Sequence, residues 1–310
     1  MSINMKGKDL ISIDDLSREE VHQILETAEI IKLRHYSKED QPILKGKILG
    51  MIFQKPSLRT RVSFEAGMMQ LGGQAIYLGP EDIKLGEREA TKDIARVLSR
   101  YVDGIMARTF SHQVILDLAE YATVPVINGL SDLLHPCQVL GDLLTIKEKK
   151  GRLSGLKLAY IGDGNNVAHS LIFGSVKVGM NIVLATPSGY EPKKEIIEKA
   201  KIDAQKMGST IEVISDPLKA VEKADIIYTD VWTSMGFEQE KEIRKKVFQS
   251  YQISQNLVSR AKEEVIILHC LPAHRGEEIT DEVMDGANSV VIDQAENRMH
   301  VQKGILALLL

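Results

Sequence analysis

Short apolar runs, turn residues and amphipathic stretches follow one another along the chain in a repeating order. Ten runs have the length and β-branched content of strands: KILGMIF, QAIYL, DGIMAR, VPVIN, KLAYIGD, NIVLAT, IEVIS, DIIYTD, EVIILHC and SVVID. Helical stretches lie between most of them. One of these, SREEVHQILETAEIIKLR, opens with Ser17 and Glu20, the spacing of a capping box. Strands that alternate with helices predict an α/β fold with parallel sheets covered on both faces.

The runs fall into two groups, which predicts two doubly wound domains. Between them, HPCQVLGDLLTIKEKKGRLSGLK reads as one long helix followed by a charged turn around Gly151 to Gly155. The expected boundary lies there, giving domains 1–150 and 151–310. A last helix, from about Gln294 to Leu310, has no partner it must pack against in its own half. It is expected to cross back to the first domain. A length of 310 residues suits two domains.

Composition narrows the class. With 44% hydrophobic and 26% charged residues the chain is an ordinary globular one, able to bury a core without a metal or disulfide staple. A net charge of −4 argues against a nucleic-acid partner. Two cysteines, Cys137 and Cys270, make no disulfide framework and point to a reducing compartment. The N-terminal stretch lacks the apolar core of a signal peptide, and the apolar GILALLL at the C-terminus is too short to span a bilayer. A cytoplasmic protein with no membrane partner is expected.

Ligands in open parallel sheets bind beyond the carboxyl ends of the strands, so those ends carry the candidate chemistry. In KPSLRTR, Pro56 breaks the strand, Ser57 can cap a new helix, and the N–H groups of residues 58 to 60 point at one spot suited to phosphate. Arg59 and Arg61 oppose the helix dipole there. Arg59 can fork two ligand oxygens and Thr60 adds a hydroxyl; the bland alternative is a pair of solvated arginines, with Arg61 bonded to Glu65 four positions on. Arg108 ends another strand. His135 and Gln138 share a helix face and suit a carbonyl oxygen and an amide, or else serve as a cap and a polar core contact.

GDGNNV follows a strand and opens a helix, yet Val167 stands where the dinucleotide fingerprint needs glycine, and NIVLAT ends without an acidic residue. That disfavours a nicotinamide-dependent oxidoreductase. Asn165 and Asn166 can offer amides to a carboxylate, and Asp230 at a strand end suits an ammonium. Cys270 with His269 and His274 raises the possibility of zinc, but adjacent side chains on a strand point to opposite faces, and a buried thiol is the simpler reading.

Taken in order and spacing, SLRTR, HPCQ, GDGNNVAHS, DVWTSMG and HCLPAHRG resemble the aspartate/ornithine carbamoyltransferase family, from about Lys6 to the C-terminus. SMG and HCLPA resemble its ornithine branch. The resemblance implies a first domain that binds carbamoyl phosphate, a second that binds the amino acid, and a homotrimer, or a multiple of trimers, with sites at subunit interfaces. The implied carbamoyl phosphate contacts are Ser57, Leu58, Arg59, Thr60, Lys84, Arg108, His135, Gln138, Cys270, Leu271 and Arg298. Those for ornithine are Asn166, Asp230, Ser234 and Met235. Arg59, Arg108, His135, Asp230 and Cys270 are the implied catalytic set, with no metal and no organic cofactor. Two positions depart from the pattern: Leu58 where the family often has threonine, and Lys84 where it often has glutamine. The position of the aspartate enzyme's catalytic lysine is Glu87 here, against aspartate as substrate. The implied reaction gives citrulline and phosphate from ornithine and carbamoyl phosphate. Sister substrates such as putrescine or an acylated ornithine, and a catalytically idle scaffold, are the rivals.

Overall fold

The computed structural model describes residues 3–39, 42–83, 85, 89–233 and 238–310. The chain forms two compact units, Met1–Leu144 with Glu296–Leu310, and Thr145–Ala295.

The first unit opens with α1 (Arg18–Tyr36), β1 (Ile48–Phe53), α2 (Leu58–Gln70) and β2 (Gln74–Leu78). It continues through α3 (Pro80–Ile83), α4 (Thr91–Leu98), β3 (Gly104–Arg108), α5 (His112–Tyr121), β4 (Val126–Leu130) and α6 (Pro136–Lys150), whose last turns belong to the second unit. The second unit holds β5 (Lys157–Ile161), α7 (Asn166–Lys177), β6 (Asn181–Ala185), α8 (Lys194–Met207), β7 (Ile211–Ile214), α9 (Pro217–Val221) and β8 (Ile226–Thr229). After these come α10 (Lys241–Phe248), α11 (Gln255–Val258), β9 (Ile266–His269), α12 (Asp281–Met284) and α13 (Val291–Leu309).

Both sheets are parallel. Their strand orders are β2-β1-β3-β4 and β7-β6-β5-β8-β9. In each, the order reverses once: between β1 and β3 in the first sheet, and between β5 and β8 in the second. Crevices at such reversals, beyond the strands' carboxyl ends, are where open α/β sheets bind ligands. Register brings the relevant ends side by side, Phe53 against Arg108 and Ile161 against Thr229. The inner strands are buried on both faces, as parallel sheets require, whereas edge strand β2 alternates between exposed and half-buried.

Apolar residues from strands and helices close the two cores. Ile52, Ile105, Ile115 and Leu118 pack together in the first unit, and Ile161, Ile227, Phe248 and Ile267 in the second. The α1 capping box forms, with Ser17 N–H donating to Glu20 at 2.7 Å and Glu20 N–H to Ser17 Oγ at 3.1 Å.

One of the ten runs is not a strand. SVVID contributes a single bridge, Ser289 to Ile267, and from Val291 onward it is the first turn of α13. The helix therefore starts three residues before the expected Gln294. Its buried positions Val291, Gln294, Arg298, Val301 and Ile305 follow the helical period, and that longer pattern overrides the β propensity of two adjacent valines.

Within the first unit, α13 lies close to α6 because Gly141 leaves room for it. A Cβ on Gly141 would stand 3.0 Å from the Arg298 Cα and 3.3 Å from its backbone nitrogen. Replacing Gly141 with valine should push the helices apart and cost about 1–3 kcal/mol, read as a lower urea midpoint for unfolding. A wild-type midpoint would show that the contact is loose.

Candidate functional site

In the first unit the turn from β1 into α2 forms a cationic cradle. Ser57 caps α2 from an extended conformation (φ −159°, ψ 112°) and accepts the Thr60 N–H at 3.3 Å. The next residue, Leu58, is 74% exposed, so what it presents to this turn is its main-chain N–H. The Thr60 hydroxyl gathers guanidinium groups from two other elements: Arg108 Nη1 from the end of β3, at 3.4 Å, and Arg298 Nη2 from α13. Arg298 also donates from Nη1 to Gln138 Oε1 at 3.2 Å. Gln138 Nε2 in turn donates to Asp142 at 2.8 Å, which fixes the orientation of the amide.

His135 sits among these groups, just ahead of α6, and is 4% exposed. Burial pushes its pKa well below the ordinary 6.5, and the charges of Arg298, Arg108 and Arg59 push it further. The imidazole is therefore neutral near pH 7. Beside it, burial drives the Cys137 thiol up to about 12, which makes it an inert core group. Arg61 turns away from this cluster. Its Nε donates to Glu65 at 3.1 Å and its guanidinium lies 3.9 Å from the Tyr77 ring centroid, so it has the structural role.

The second unit carries an anionic counterpart. Asp230, directly after β8, accepts from the Val231 N–H at 2.8 Å and the Cys270 thiol at 2.9 Å through Oδ1, and from Asn165 Nδ2 at 2.8 Å through Oδ2. Asn165 caps α7, where its Oδ1 accepts the N–H groups of Val167 and Ala168. That leaves only its NH₂ to face Asp230. Asn166, the first residue of α7, is half-buried beside it. Leu271 adopts φ 57°, an uncommon conformation for a branched residue, and its N–H donates to His269 Nδ1 at 2.9 Å.

The Asp230, His269 and Cys270 donor atoms lie within 4.8 Å of one another, although strand alternation places His269 and Cys270 on opposite faces. The reason is that Cys270 lies beyond β9, where alternation ends. The trio is poorly suited to a metal. His269 accepts at Nδ1, so its proton is on Nε2, donated to Glu278 at 2.9 Å, and neither ring nitrogen has a lone pair to offer. Lys84, Ser234 and Met235 fall outside the described residues. The structure thus groups Ser57, Thr60, Arg59, Arg108, His135, Gln138 and Arg298 in the first unit, and Asp230, Cys270, Leu271 and Asn166 in the second.

Comparison with known proteins gives this pair of sites its context. Residues 8–148 match the family model "Aspartate/ornithine carbamoyltransferase, carbamoyl-P binding domain", and residues 154–309 match "Aspartate/ornithine carbamoyltransferase, Asp/Orn binding domain". The chain belongs to the aspartate/ornithine carbamoyltransferase family. An ornithine carbamoyltransferase of Thermococcus kodakarensis is 55% identical, with 100% of this chain and 98% of that one covered. A relative from Pyrococcus furiosus named "Ornithine carbamoyltransferase, anabolic" is 54% identical, over 100% of this chain and 98% of its own. The solved ornithine carbamoyltransferase structure from Pyrococcus furiosus superposes with a TM-score of 0.97 at 54% identity, covering 99% of this chain and 98% of that one. The one from Thermus thermophilus gives 0.88 at 42%, covering 98% and 99%.

Within this carbamoyltransferase the two sites have opposite polarity. Residue types at strand ends pointed to Arg108 and Asp230. Asn165 as the group that holds Asp230, and Asp142 as the group that orients Gln138, depend on contacts that strand-end position does not reveal. Both could have been suspected from their places, one capping a helix at a glycine turn and the other four residues after Gln138.

The surroundings of His135 make a direct prediction. In a ¹³C/¹⁵N-histidine NMR titration of the free protein, its ring should stay neutral through the range where an ordinary histidine titrates, with any inflection well below 6.5. An ordinary inflection near 6.5 would contradict the cationic cradle.

Proposed function

We infer that the protein is an ornithine carbamoyltransferase, forming citrulline and phosphate from carbamoyl phosphate and L-ornithine. The convergence of Arg59, Arg108 and Arg298 on His135 and on the Thr60 turn that begins α2 carries this reading. Three guanidinium groups repel one another unless an anion lies among them. A helix N-terminus with a capping serine and a threonine hydroxyl is suited to phosphate.

Carbamoyl phosphate binds first in this reading. Ser57, the Leu58 N–H, Arg59 and Thr60 hold the phosphate, while Gln138 takes the carbamoyl NH₂. Arg108, Arg298 and neutral His135 face the carbonyl oxygen, where negative charge grows as the tetrahedral intermediate forms. Ornithine binds through Asn166, Asp230 and the Ser234–Met235 segment, with Asp230, Cys270 and Leu271 beside its side chain. The neutral amine attacks the carbamoyl carbon, the C–O bond to phosphate breaks, and the leaving phosphate accepts the amine's proton. Lys84 completes the phosphate contacts from a neighbouring subunit of a homotrimer. The exposed apolar residues Leu58, Val62 and Met69 along α2 support such an assembly. Neither Cys137 nor Cys270 is in a disulfide, and among the described residues no helix is long and apolar enough to cross a membrane. These thiols support a cytoplasmic setting. The Asp230 side chain suits a free α-ammonium group, which an acylated ornithine lacks.

A citrulline assay with both substrates tests the reading, and a protein of native fold that makes none would refute it. Arg59→Ala should lower turnover by about a hundredfold or more while leaving the fold intact. Asp230→Asn should impair ornithine use far more than carbamoyl phosphate binding; equal losses would make Asp230 a structural residue.

A further inference from the structure

Arg244 and Asp163 form a buried ion pair in the second unit that the reaction as described does not use. Arg244 Nη1 donates to Asp163 Oδ2 at 2.8 Å and to the Trp232 carbonyl at 3.0 Å. Its Nε donates to Glu240 at 2.9 Å, and its guanidinium lies 4.9 Å from the Tyr190 ring centroid. The helix that carries it, α10, is turned against its own apolar pattern. Ile243 and Val247 are 62% and 36% exposed, whereas Arg244 is 5% exposed. Burying an ion pair is a poor source of stability, because desolvation consumes most of the attraction. An arginine turned inward at the expense of two aliphatic residues calls for another reason.

The contacts supply one. Asp163 and Trp232 lie on the two loops that hold the Asp230 carboxylate. On the first, the Asp163 carbonyl accepts from the Asn165 N–H and from Tyr160 Oη, both at 2.8 Å, and Asn165 Nδ2 then donates to Asp230. Gly164 between them is wedged against the 190–192 turn: its N–H donates to the Tyr190 carbonyl at 2.8 Å, and a Cβ there would stand 2.3 Å from the Pro192 nitrogen. On the second loop, Trp232 is two residues past Asp230. One guanidinium therefore ties the loop after β5 to the loop after β8, and also covers the ring of the turn that seats Gly164.

We propose that Arg244, clamped to Asp163, is a positioning residue for ornithine, holding Asn165 and Asp230 in the arrangement that receives the substrate's ammonium group. The proposal rests on the ornithine reading above. It deepens that reading by naming two residues outside the substrate contacts that set ornithine affinity. The clamp needs Asp163 ionised. Arg244, Asp230 and Glu240 are the charged groups that face it, and burial lifts its carboxyl to about 6 against the pull of Arg244. Above that pH the carboxylate holds the guanidinium; as pH falls through it, the proton enters and the clamp loosens. Ornithine KM therefore rises at acid pH by more than protonation of the substrate amine accounts for.

The test uses the full chain, with saturating carbamoyl phosphate, varied ornithine, and calorimetric titration of carbamoyl phosphate alone. Arg244→Gln and the near-isosteric Asp163→Asn should each raise the ornithine KM about tenfold or more, as expected for loss of a charge-assisted hydrogen bond. Their carbamoyl phosphate Kd should stay within about twofold of wild type. The double variant should be no worse than the single ones, because the residues act as a unit. Arg244→Lys should recover part of the loss, and Asp163→Asn should lack the acid limb of the KM profile. A wild-type KM and pH profile in Asp163→Asn, additive losses, or a matching loss of carbamoyl phosphate affinity would overturn the proposal. If Arg244→Gln fails to fold, Asp163→Asn decides alone. Wild-type protein that makes no citrulline would instead defeat the ornithine reading, so the two failures are distinguishable.

Discussion

Like charges held close together are the constraint on which the first unit's site depends. Arg59, Arg108 and Arg298 come from α2, β3 and α13, and all three act on the His135 imidazole. At about 4 Å, a pair of like charges costs on the order of 1 to 4 kcal/mol, depending on how far water reaches them. Nothing local to any one element favours this. The sheet supplies the framework: β1 and β3 are neighbours in register, so Arg108 emerges beside the turn that starts α2. Neutral acceptors then hold two of the guanidinium groups, those of Arg108 and Arg298. The Thr60 hydroxyl receives both, and Gln138, oriented by Asp142, receives one. The repulsion is built in, and an anion placed among the guanidinium groups would relieve it.

The second unit repeats the geometry with the sign reversed. Its sheet also changes direction once, and the residues after β5 and β8 meet there. Here the central group is a carboxylate, surrounded by an amide, a thiol and a main-chain N–H. These donors are neutral, so none of these contacts places a cation on the Asp230 side chain. A lysine or arginine directly on Asp230 would have satisfied it more strongly and made it useless for recognition. Arg244, which reaches the same two loops, instead donates to Asp163 and to the Trp232 carbonyl.

The parts legible in the chain were those governed by local rules. Period and turn residues gave the two parallel sheets, and strand ends gave Arg108, Asp230 and the capped turn at Ser57. Arg61 had two readings in sequence, because a helix start and an i,i+4 partner give equally good local reasons; its contacts with Glu65 and Tyr77 decide for the partner. SVVID misled because two valines look like a strand until the longer helical period of α13 is laid over them. Asn165 was legible as a cap at a glycine turn but not as the partner of Asp230, and the Arg244–Asp163 clamp was not legible at all. Each joins residues 65 or more positions apart, and no periodicity records which distant loop a side chain will face.

The α10 helix shows why pattern alone fails at such places. Read for packing, KEIRKKVF offers Ile243 and Val247 as its inner face, four residues apart. The protein turns Arg244 and Phe248 inward instead, also four apart, so one helix face carries both an aromatic core anchor and a buried charge. Phe248 stacks with Trp232 and meets Tyr190 edge-on, and these same two residues frame the Arg244 guanidinium. Phe248 seats one end of this face in the core, while the turn before it gives up the burial of Ile243 and Val247 and delivers the guanidinium to the two loops around Asp230. Local propensity yields where a site needs a group that the best-packed arrangement would not supply, and the violated pattern is itself the mark of the site.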